Sequence, residues 1–342
     1  MALISGGLDS ILAARLIQLQ GIQVIGIHCG HPFHAASPRG ERPFPERAAA
    51  QIGIELVERE VTEKILDLVQ NPPHGYGRNL NPCIDCRILY LGEAHELMKE
   101  RGAGFIITGE VLGQRPMSQR RDALDIIDRD AALRGLVLRP LSARLLRPTM
   151  PEEKGWVERE KLLAVNSRGR KKQIALAEKF GITEFSTPAG GCLLTNEGFA
   201  AKVKDLLEHE KRLTSEDVQL LKVGRHFRLS DRAKLVAGRD ERENEKIIRL
   251  AIPADLIIES IDHPGPLGLL RKANRGLSRE DPSEQAEMML ACSILGRYVK
   301  PPADRVCFEF SRTGTDERGR IEAPPLSRSE VARHLAGNQD RS

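Results

Sequence analysis

The stretch Ser5-Gly6-Gly7-Leu8-Asp9-Ser10 follows a short apolar run, Ala2 to Ile4. After it, Leu12, Ala13, Leu16 and Ile17 recur at helical spacing. The stretch therefore reads as the turn where a strand hands over to a helix. Two glycines let the backbone turn tightly and point its N–H groups at a ligand. The serine hydroxyls and the positive end of the helix then favour phosphate oxygens. Asp9 would repel a bare phosphate, so its place in such a loop calls for Mg²⁺ between the two. The phosphate loop G-x-x-x-x-G-K-[ST] is absent, and with it the lysine that steadies β- and γ-phosphates. A glycine turn with Ser or Asp capping the helix is the alternative reading.

Outward from this loop, Val24–Ile27 reads as a second strand, Glu46–Gln51 as the start of a helix and Ile54–Val57 as a third strand. Arg87–Arg101 reads as a long helix closed by Gly102, and Phe105–Thr108 as a fourth strand. Strands alternating with helices predict βαβ units and a mostly parallel sheet. The expected class is α/β, a Rossmann-like parallel sheet with helices on both faces. Two Pro/Gly-rich segments, Gly30–Pro45 and Asn71–Pro82, have the length of functional loops. From about Lys202 to Phe310 the chain is rich in Lys, Arg and Glu, with strand candidates at Lys234–Ala237 and Leu256–Ile258. This second region reads as a smaller α+β domain. The expected boundaries are 1–200, 201–312 and a flexible tail, 313–342, where Thr313-Gly314, Arg318-Gly319-Arg320 and Pro324-Pro325 leave little apolar content.

Composition narrows the function. Apolar residues are 40% and charged residues 29% of the 342, as in an ordinary globular protein. No apolar run approaches a bilayer span, so no membrane is expected. Aromatics at 4% argue against a single-strand binder built on stacking platforms. The net charge of +4 permits nucleic acid without requiring it. Asp9 and Arg15 break any secretory h-region, so the six cysteines are expected as reduced thiols in a cytoplasm, available for metal or catalysis.

Asn81-Pro82-Cys83-Ile84-Asp85-Cys86-Arg87 puts a C-x-x-C at the mouth of a helix. Two thiols at that spacing can reach one metal, and the helix N-terminus lowers their pKa. Half a zinc site and a redox pair are both open, and no second C-x-x-C completes a Cys₄ set. Cys192 stands in a glycine setting, Thr187-Pro188-Ala189-Gly190-Gly191-Cys192. Cys29, Cys292 and Cys307 sit in apolar or strand contexts and read as buried small hydrophobes.

All six positions of Ser5 to Ser10 agree with S-G-G-x-D-S, and the loop resembles the PP-loop of the ATP pyrophosphatases. That resemblance implies the adenine nucleotide alpha hydrolase-like fold and cleavage of ATP between its α- and β-phosphates. A substrate oxygen becomes an adenylate, and AMP and pyrophosphate leave. It puts Ser5, Gly6, Gly7, Leu8 and Ser10 on ATP, Asp9 toward Mg²⁺, and Ile27 and His28 beside the adenine; a strand-end His28 with no role is the alternative. Asn-Pro-Cys-x-x-Cys resembles the MnmA-type tRNA 2-thiouridylases. Thr108-Gly109-Glu110, Gly113-Gln114, Ser118-Gln119 and Arg139-Pro140-Leu141 resemble the ThiI-type 4-thiouridine synthases. Together these likenesses cover about the first 195 residues and add Thr108, Gly109, Gln114 and Ser118 to the nucleotide site. They also imply that Cys83, Cys86 and Cys192 meet, with Cys83, Cys192 and Asp9 as the catalytic residues. Three thiols would ligate a 4Fe-4S cluster and leave one iron open to sulfide. Without iron, one would carry a persulfide and another resolve it; structural zinc is the third option.

Further on, Gly224-Arg225-His226-Phe227-Arg228 precedes Lys234 and the string Gly238-Arg239-Asp240-Glu241-Arg242-Glu243-Asn244. A solvated charged face would account for many of these charges. The string Gly-Arg-x-x-x-Glu-Asn resembles the NFACT-R domain, a likeness spanning about Val223 to Phe310. It implies RNA contact through Arg225, Arg228, Lys234 and Arg239, with Arg168 to Lys172 adding to that surface. The resulting expectation is an ATP-dependent tRNA uridine sulfurtransferase. Its partners would be tRNA and a sulfur donor, inorganic sulfide or a persulfide carrier, with room for a homodimer. The alternatives are a PP-loop ligase or amidotransferase acting on a small molecule, with structural zinc, and a non-catalytic RNA-binding adaptor.

Overall fold

In the computed structural model the helix after the glycine loop is buried almost all round, because apolar residues surround its axis rather than lining one face. Residues 1–34, 41–166, 169–186, 191–272 and 282–336 are described. The chain divides into two compact units, Met1–Thr195 and Asn196–Ser342. Among the described residues, no helix is long and apolar enough to cross a membrane.

The first unit runs β1 (Ala2–Leu3), α1 (Leu8–Gln18), β2 (Ile25–Gly30), α2 (Phe44–Ile52), β3 (Glu55–Glu60), α3 (Thr62–Gln70), α4 (Cys83–Glu100), β4 (Ile106–Ile107), α5 (Arg121–Asp130), β5 (Val137–Leu138), α6 (Met150–Glu153) and α7 (Lys171–Phe180). The described strands form one sheet in the order β3-β2-β1-β4-β5, and every pairing is parallel. Ala2 stands opposite Gly26 on one side and Ile107 on the other. Such short, wholly apolar strands belong at the centre of a sheet covered on both faces. The charges of β3 (Glu55, Glu58, Arg59, Glu60) suit an edge strand. Strand order reverses between β1 and β4, and ligands bind at the carboxyl ends of strands at such a switch point. The chain places Ser5–Ser10 after β1 and Thr108–Gly109 after β4.

The parallel α/β reading holds. The structure adds β5, whose two residues are too few for a sequence pattern. It also starts α4 at Cys83 rather than Arg87, so both C-x-x-C thiols lie in the first helical turn.

The second unit runs α8 (Glu197–His209), α9 (Ser215–Leu221), β6 (Arg225–Ser230), β7 (Ala233–Ala237), α10 (Glu241–Arg249), β8 (Leu256–Ser260), β9 (Gly268–Lys272), α11 (Pro282–Gly296), β10 (Val306–Arg312), β11 (Arg318–Ala323) and α12 (Arg328–Arg333). Its described strands make an antiparallel sheet ordered β11-β10-β8-β9-β7-β6. Successive side chains point to opposite faces. Leu235 and Leu270 therefore join Ala291, Ile294 and Leu295 of α11 on one face. Val236 and Leu269 join Leu220 and Ile247 on the other. An α+β domain is what the composition predicted. Residues 313–342, read as a tail, instead supply β11, fully paired with β10, and α12, closed by a capping box and anchored by buried Val331. Their apolar residues are few, but Ile321, Ala323 and Val331 all reach the α11 side of the core. Residues 337–342 lie outside the described residues.

Candidate nucleotide and thiol site

Gly6 adopts φ +75°, and a Cβ there would stand 2.6 Å from Phe44 Cβ, so conformation and packing both demand glycine. The turn it makes is closed by its own side chains. Gly7 N donates to Ser5 Oγ at 3.3 Å, and Ser10 Oγ donates to Gly7 O at 2.8 Å. From the β4 side, Gly109 presses against the loop: a Cβ at that position would lie 2.4 Å from Ser10 N. Thr108, Gly109 and the Ser5–Ser10 loop thus meet as one unit. A segment that the sequence did not signal joins them, since Ser186 N donates to Gly6 O at 2.9 Å.

Asp9 Oδ2 accepts from Gln114 Nε2 at 2.8 Å and from Arg170 at 3.3 Å. Its Oδ1 is buried with no hydrogen-bond partner. An orphaned carboxylate oxygen at a helix N-terminus fits Mg²⁺, a cation that takes oxygen ligands. Arg170 lies here at the loop, whereas the sequence had placed the 168–172 cations on an RNA surface; Arg168 is outside the described residues. His28 Nδ1 donates to Ile4 O at 3.0 Å, and its ring stacks on His34 at 5.3 Å. Burial pushes the His28 pKa down, which favours the neutral ring. Ile27, its neighbour on β2, is wholly buried.

The thiol loop is fixed from two directions. His74 joins the loop to α4, its Nδ1 2.7 Å from Asp85 and its Nε2 2.9 Å from Asp130. The hydrogen bond to Asp85 is the main cause of the raised His74 pKa. Asn81 Nδ2 donates to Cys83 Sγ at 3.1 Å and stands 3.7 Å from Met117 Sδ. Met117 belongs to a closed turn, residues 111–119, held by Gln114 N to Val111 O, Gly113 N to Gln119 O and Gln119 N to Arg115 O. Gln114 of the same turn grips Asp9. Buried Ser118 lies within the turn as well. One strap therefore touches the glycine loop at one end and the thiol loop at the other.

Cys192 forms an antiparallel bridge with His34, next to the Leu193 N to Phe33 O hydrogen bond. Cys86 feels the charges of Cys192 and Cys83, and Cys192 that of Cys83. Burial pushes Cys192 up to about 11 and Cys86 higher still. Three neighbouring thiols are the donor set of a three-cysteine cluster site. Among the described residues, however, no three His, Cys, Asp or Glu side chains stand at metal-holding distances from one another. The donor chemistry fits a metal and the side-chain positions do not close around one. Residues 187–190 of the Thr187–Cys192 motif lie outside the described residues. Cys29 and Cys292 are core residues, and Cys307 is half-buried in β10.

Arg115, in the strap, was not singled out by the sequence. Burial is the main cause that lowers its pKa, followed by the charge of Arg87, with Cys83, Asp9 and Cys192 acting in the opposite sense.

Residues 1–144 match the family described as thiamine biosynthesis protein (ThiI), and residues 224–335 match the NFACT protein RNA binding domain. The two matches fall in separate parts of the chain, the first within the parallel-sheet unit and the second within the antiparallel-sheet unit. A probable tRNA sulfurtransferase of Methanosarcina mazei is 26% identical over 231 residues, 64% of this chain and 48% of that protein. A tRNA-specific 2-thiouridylase MnmA of Trichlorobacter lovleyi is 35% identical over 111 residues, 31% of this chain and 31% of that protein. The chain spans less than half the length of these relatives.

Within the second unit, two of the four cations expected on RNA are not at the surface. Arg228 grips Asp205 through both nitrogens at 3.0 and 2.7 Å, and Lys234 reaches the same carboxylate at 3.2 Å. The three side chains are 9%, 8% and 7% exposed for Arg228, Lys234 and Asp205. Burial pulls Lys234 down to about 8, despite the nearby carboxylate. These residues hold α8 against β6 and β7. The other two, Arg225 over the Tyr298 ring at 4.7 Å and half-exposed Arg239, are not enclosed in this way. The Gly-Arg-x-x-x-Glu-Asn string is a local clamp: Arg239 N donates to Glu243 and Leu267 N to Asn244 Oδ1. Asp205→Ala leaves two cations buried without their carboxylate, and we expect it to destabilise the domain by about 3–5 kcal/mol in urea unfolding. A loss below about 1 kcal/mol would show that water already satisfies both cations.

Proposed function

We propose that the protein is an ATP-dependent tRNA sulfurtransferase whose PP-loop activates a uridine carbonyl oxygen and whose Cys83, Cys86 and Cys192 present the replacing sulfur. The observation that carries this reading is the strap from Asp9 to Asn81 and Cys83, which joins the Ser5–Ser10 loop to the loop that bears the C-x-x-C. A ligase with no sulfur chemistry has no use for three thiols beside its nucleotide. A non-catalytic adaptor has no use for a buried, half-satisfied Asp9.

In this reading Ser5, Gly6, Gly7, Leu8 and Ser10 receive the phosphates, and Asp9 faces Mg²⁺ with its free oxygen. Thr108, Gly109, Gln114 and Ser118 close the nucleotide site, and Ile27 and His28 flank the adenine. The uridine oxygen attacks the α-phosphate and pyrophosphate leaves. Sulfide then adds to the activated carbon and AMP departs with the former uridine oxygen, so the base gains C=S and one proton is released. Activation is needed because an amide-like oxygen leaves poorly by itself. A bound 4Fe-4S cluster would supply an open iron able to hold sulfide. The chain's own part is to present the three thiols to the activated base and to exclude water from it. Arg225 and Arg239 contribute to tRNA binding.

Nucleoside mass spectrometry of tRNA from cells lacking the protein tests this directly. One thiolated uridine should disappear and return on complementation. Persistence of every thiouridine would refute the reading.

A further inference from the structure

A cavity of 400 Å³ lies apart from the residues assigned above. Leu124, Val137, Leu138 and Leu146 form an apolar floor, and Arg121, Arg134 and Arg147 stand around it. The volume is in the range of small-ligand sites. The charges divide clearly. Arg139, at the back, is 4% exposed and neutralised by Asp128 at 2.7 Å and Glu110 at 2.9 Å. Glu152 is held by Arg159 and by its capping box with Thr149. Arg121 spends one nitrogen on Leu145 O at 2.7 Å. Arg134 and Arg147 are exposed and make no hydrogen bond or ion pair among the described residues. Asp125 is the single acid on the rim without such a partner. The rim therefore carries an excess of positive charge over an apolar floor.

We propose that this cavity binds a nucleotide of an RNA strand, its base against the apolar floor and its phosphates on Arg134 and Arg147. Guanidinium groups match phosphate geometry through paired donors. Both arginines are on the solvent side of the cavity rather than enclosed in it. That placement suits a strand whose backbone stays in solvent while one base enters, more than a free mononucleotide, whose phosphates would be wrapped. The site also has a physical link to the PP-loop. Buried Arg139 donates to Glu110, which accepts from Thr108, beside the Gly109 that presses on Ser10. The proposal rests only on the RNA half of the reading above.

The test uses the full chain, an unmodified tRNA transcript and free uridine monophosphate. Arg134→Ala/Arg147→Ala should weaken tRNA binding about 10-fold and flatten its salt dependence by roughly 1.5 in log K against log salt, since two phosphate contacts are lost. ATP affinity should be unchanged, which also certifies the fold. A conservative Arg134→Lys/Arg147→Lys variant should restore most of the salt slope. Unchanged tRNA affinity and slope in the alanine variant would overturn the proposal. So would loss of uridine monophosphate binding with tRNA binding intact. A parent protein that binds tRNA yet thiolates nothing defeats the sulfurtransferase reading and leaves this test standing.

Discussion

Asp9→Asn should abolish ATP turnover while the protein stays folded. The carboxylate is held by Gln114 and Arg170, yet Oδ1 is buried without a partner. Such an atom is costly unless a ligand satisfies it. Asparagine keeps the size but removes the charge that would draw Mg²⁺ to the phosphates. Loss of one preorganised electrostatic contact to a developing phosphate charge is worth about 10²–10³-fold in rate. Pyrophosphate release should fall by at least that much, with the thermal midpoint little changed. A variant that releases pyrophosphate at the parent rate would remove Asp9 from the chemistry. Arg170→Ala is a useful companion, because it removes the weaker of the two donors to Oδ2 without touching the charge of Asp9 and should have a smaller effect.

Cys192→Ser should erase thiouridine formation, with Cys83→Ser behaving alike. Removing the group that presents the transferred atom removes the chemical acceleration as a whole, ~10⁶-fold or more, so only background remains. Pyrophosphate release, the first half-reaction, should survive in both, since neither residue belongs to the glycine loop. That split separates a sulfur-presenting role from a structural one. Iron and acid-labile sulfide, measured on anaerobically purified protein, discriminate between a cluster and a persulfide. Serine substitution should empty the iron in the first case and change nothing in the second. Full thiolation by Cys192→Ser would sink the three-cysteine site.

Much of the first unit was legible because its signals are local. A strand–glycine–helix handover needs only neighbours in sequence, and β1, α1, β2, β3 and β4 fall where periodicity placed them. The C-x-x-C at the head of α4 is equally local. What lay hidden depends on residues distant in sequence. Arg170 looks like one more surface cation until it meets Asp9, 161 positions earlier. Gly109 was placed at the nucleotide site by resemblance alone, and the physical demand for glycine shows only when Ser10 fills the space beside it. Arg228 and Lys234 carry the composition of an RNA surface and turn inward because Asp205 waits on α8. The last strand and helix were missed for the opposite reason. β11 alternates Arg318, Arg320 and Glu322 with Gly319, Ile321 and Ala323, a period of two that charge and glycine content disguised.

The strap formed by residues 111–119 has a thermodynamic consequence. Under the proposed reading, two sites joined by one connector are linked, and any coupling free energy between them is a single number. By whatever factor nucleotide at the glycine loop tightens or loosens occupancy of the thiol pocket, loading of that pocket changes nucleotide affinity by the same factor. Met117, which meets Asn81 at 3.7 Å, sits on that connector. A change there acts on the conversation between two reagents rather than on either reagent alone.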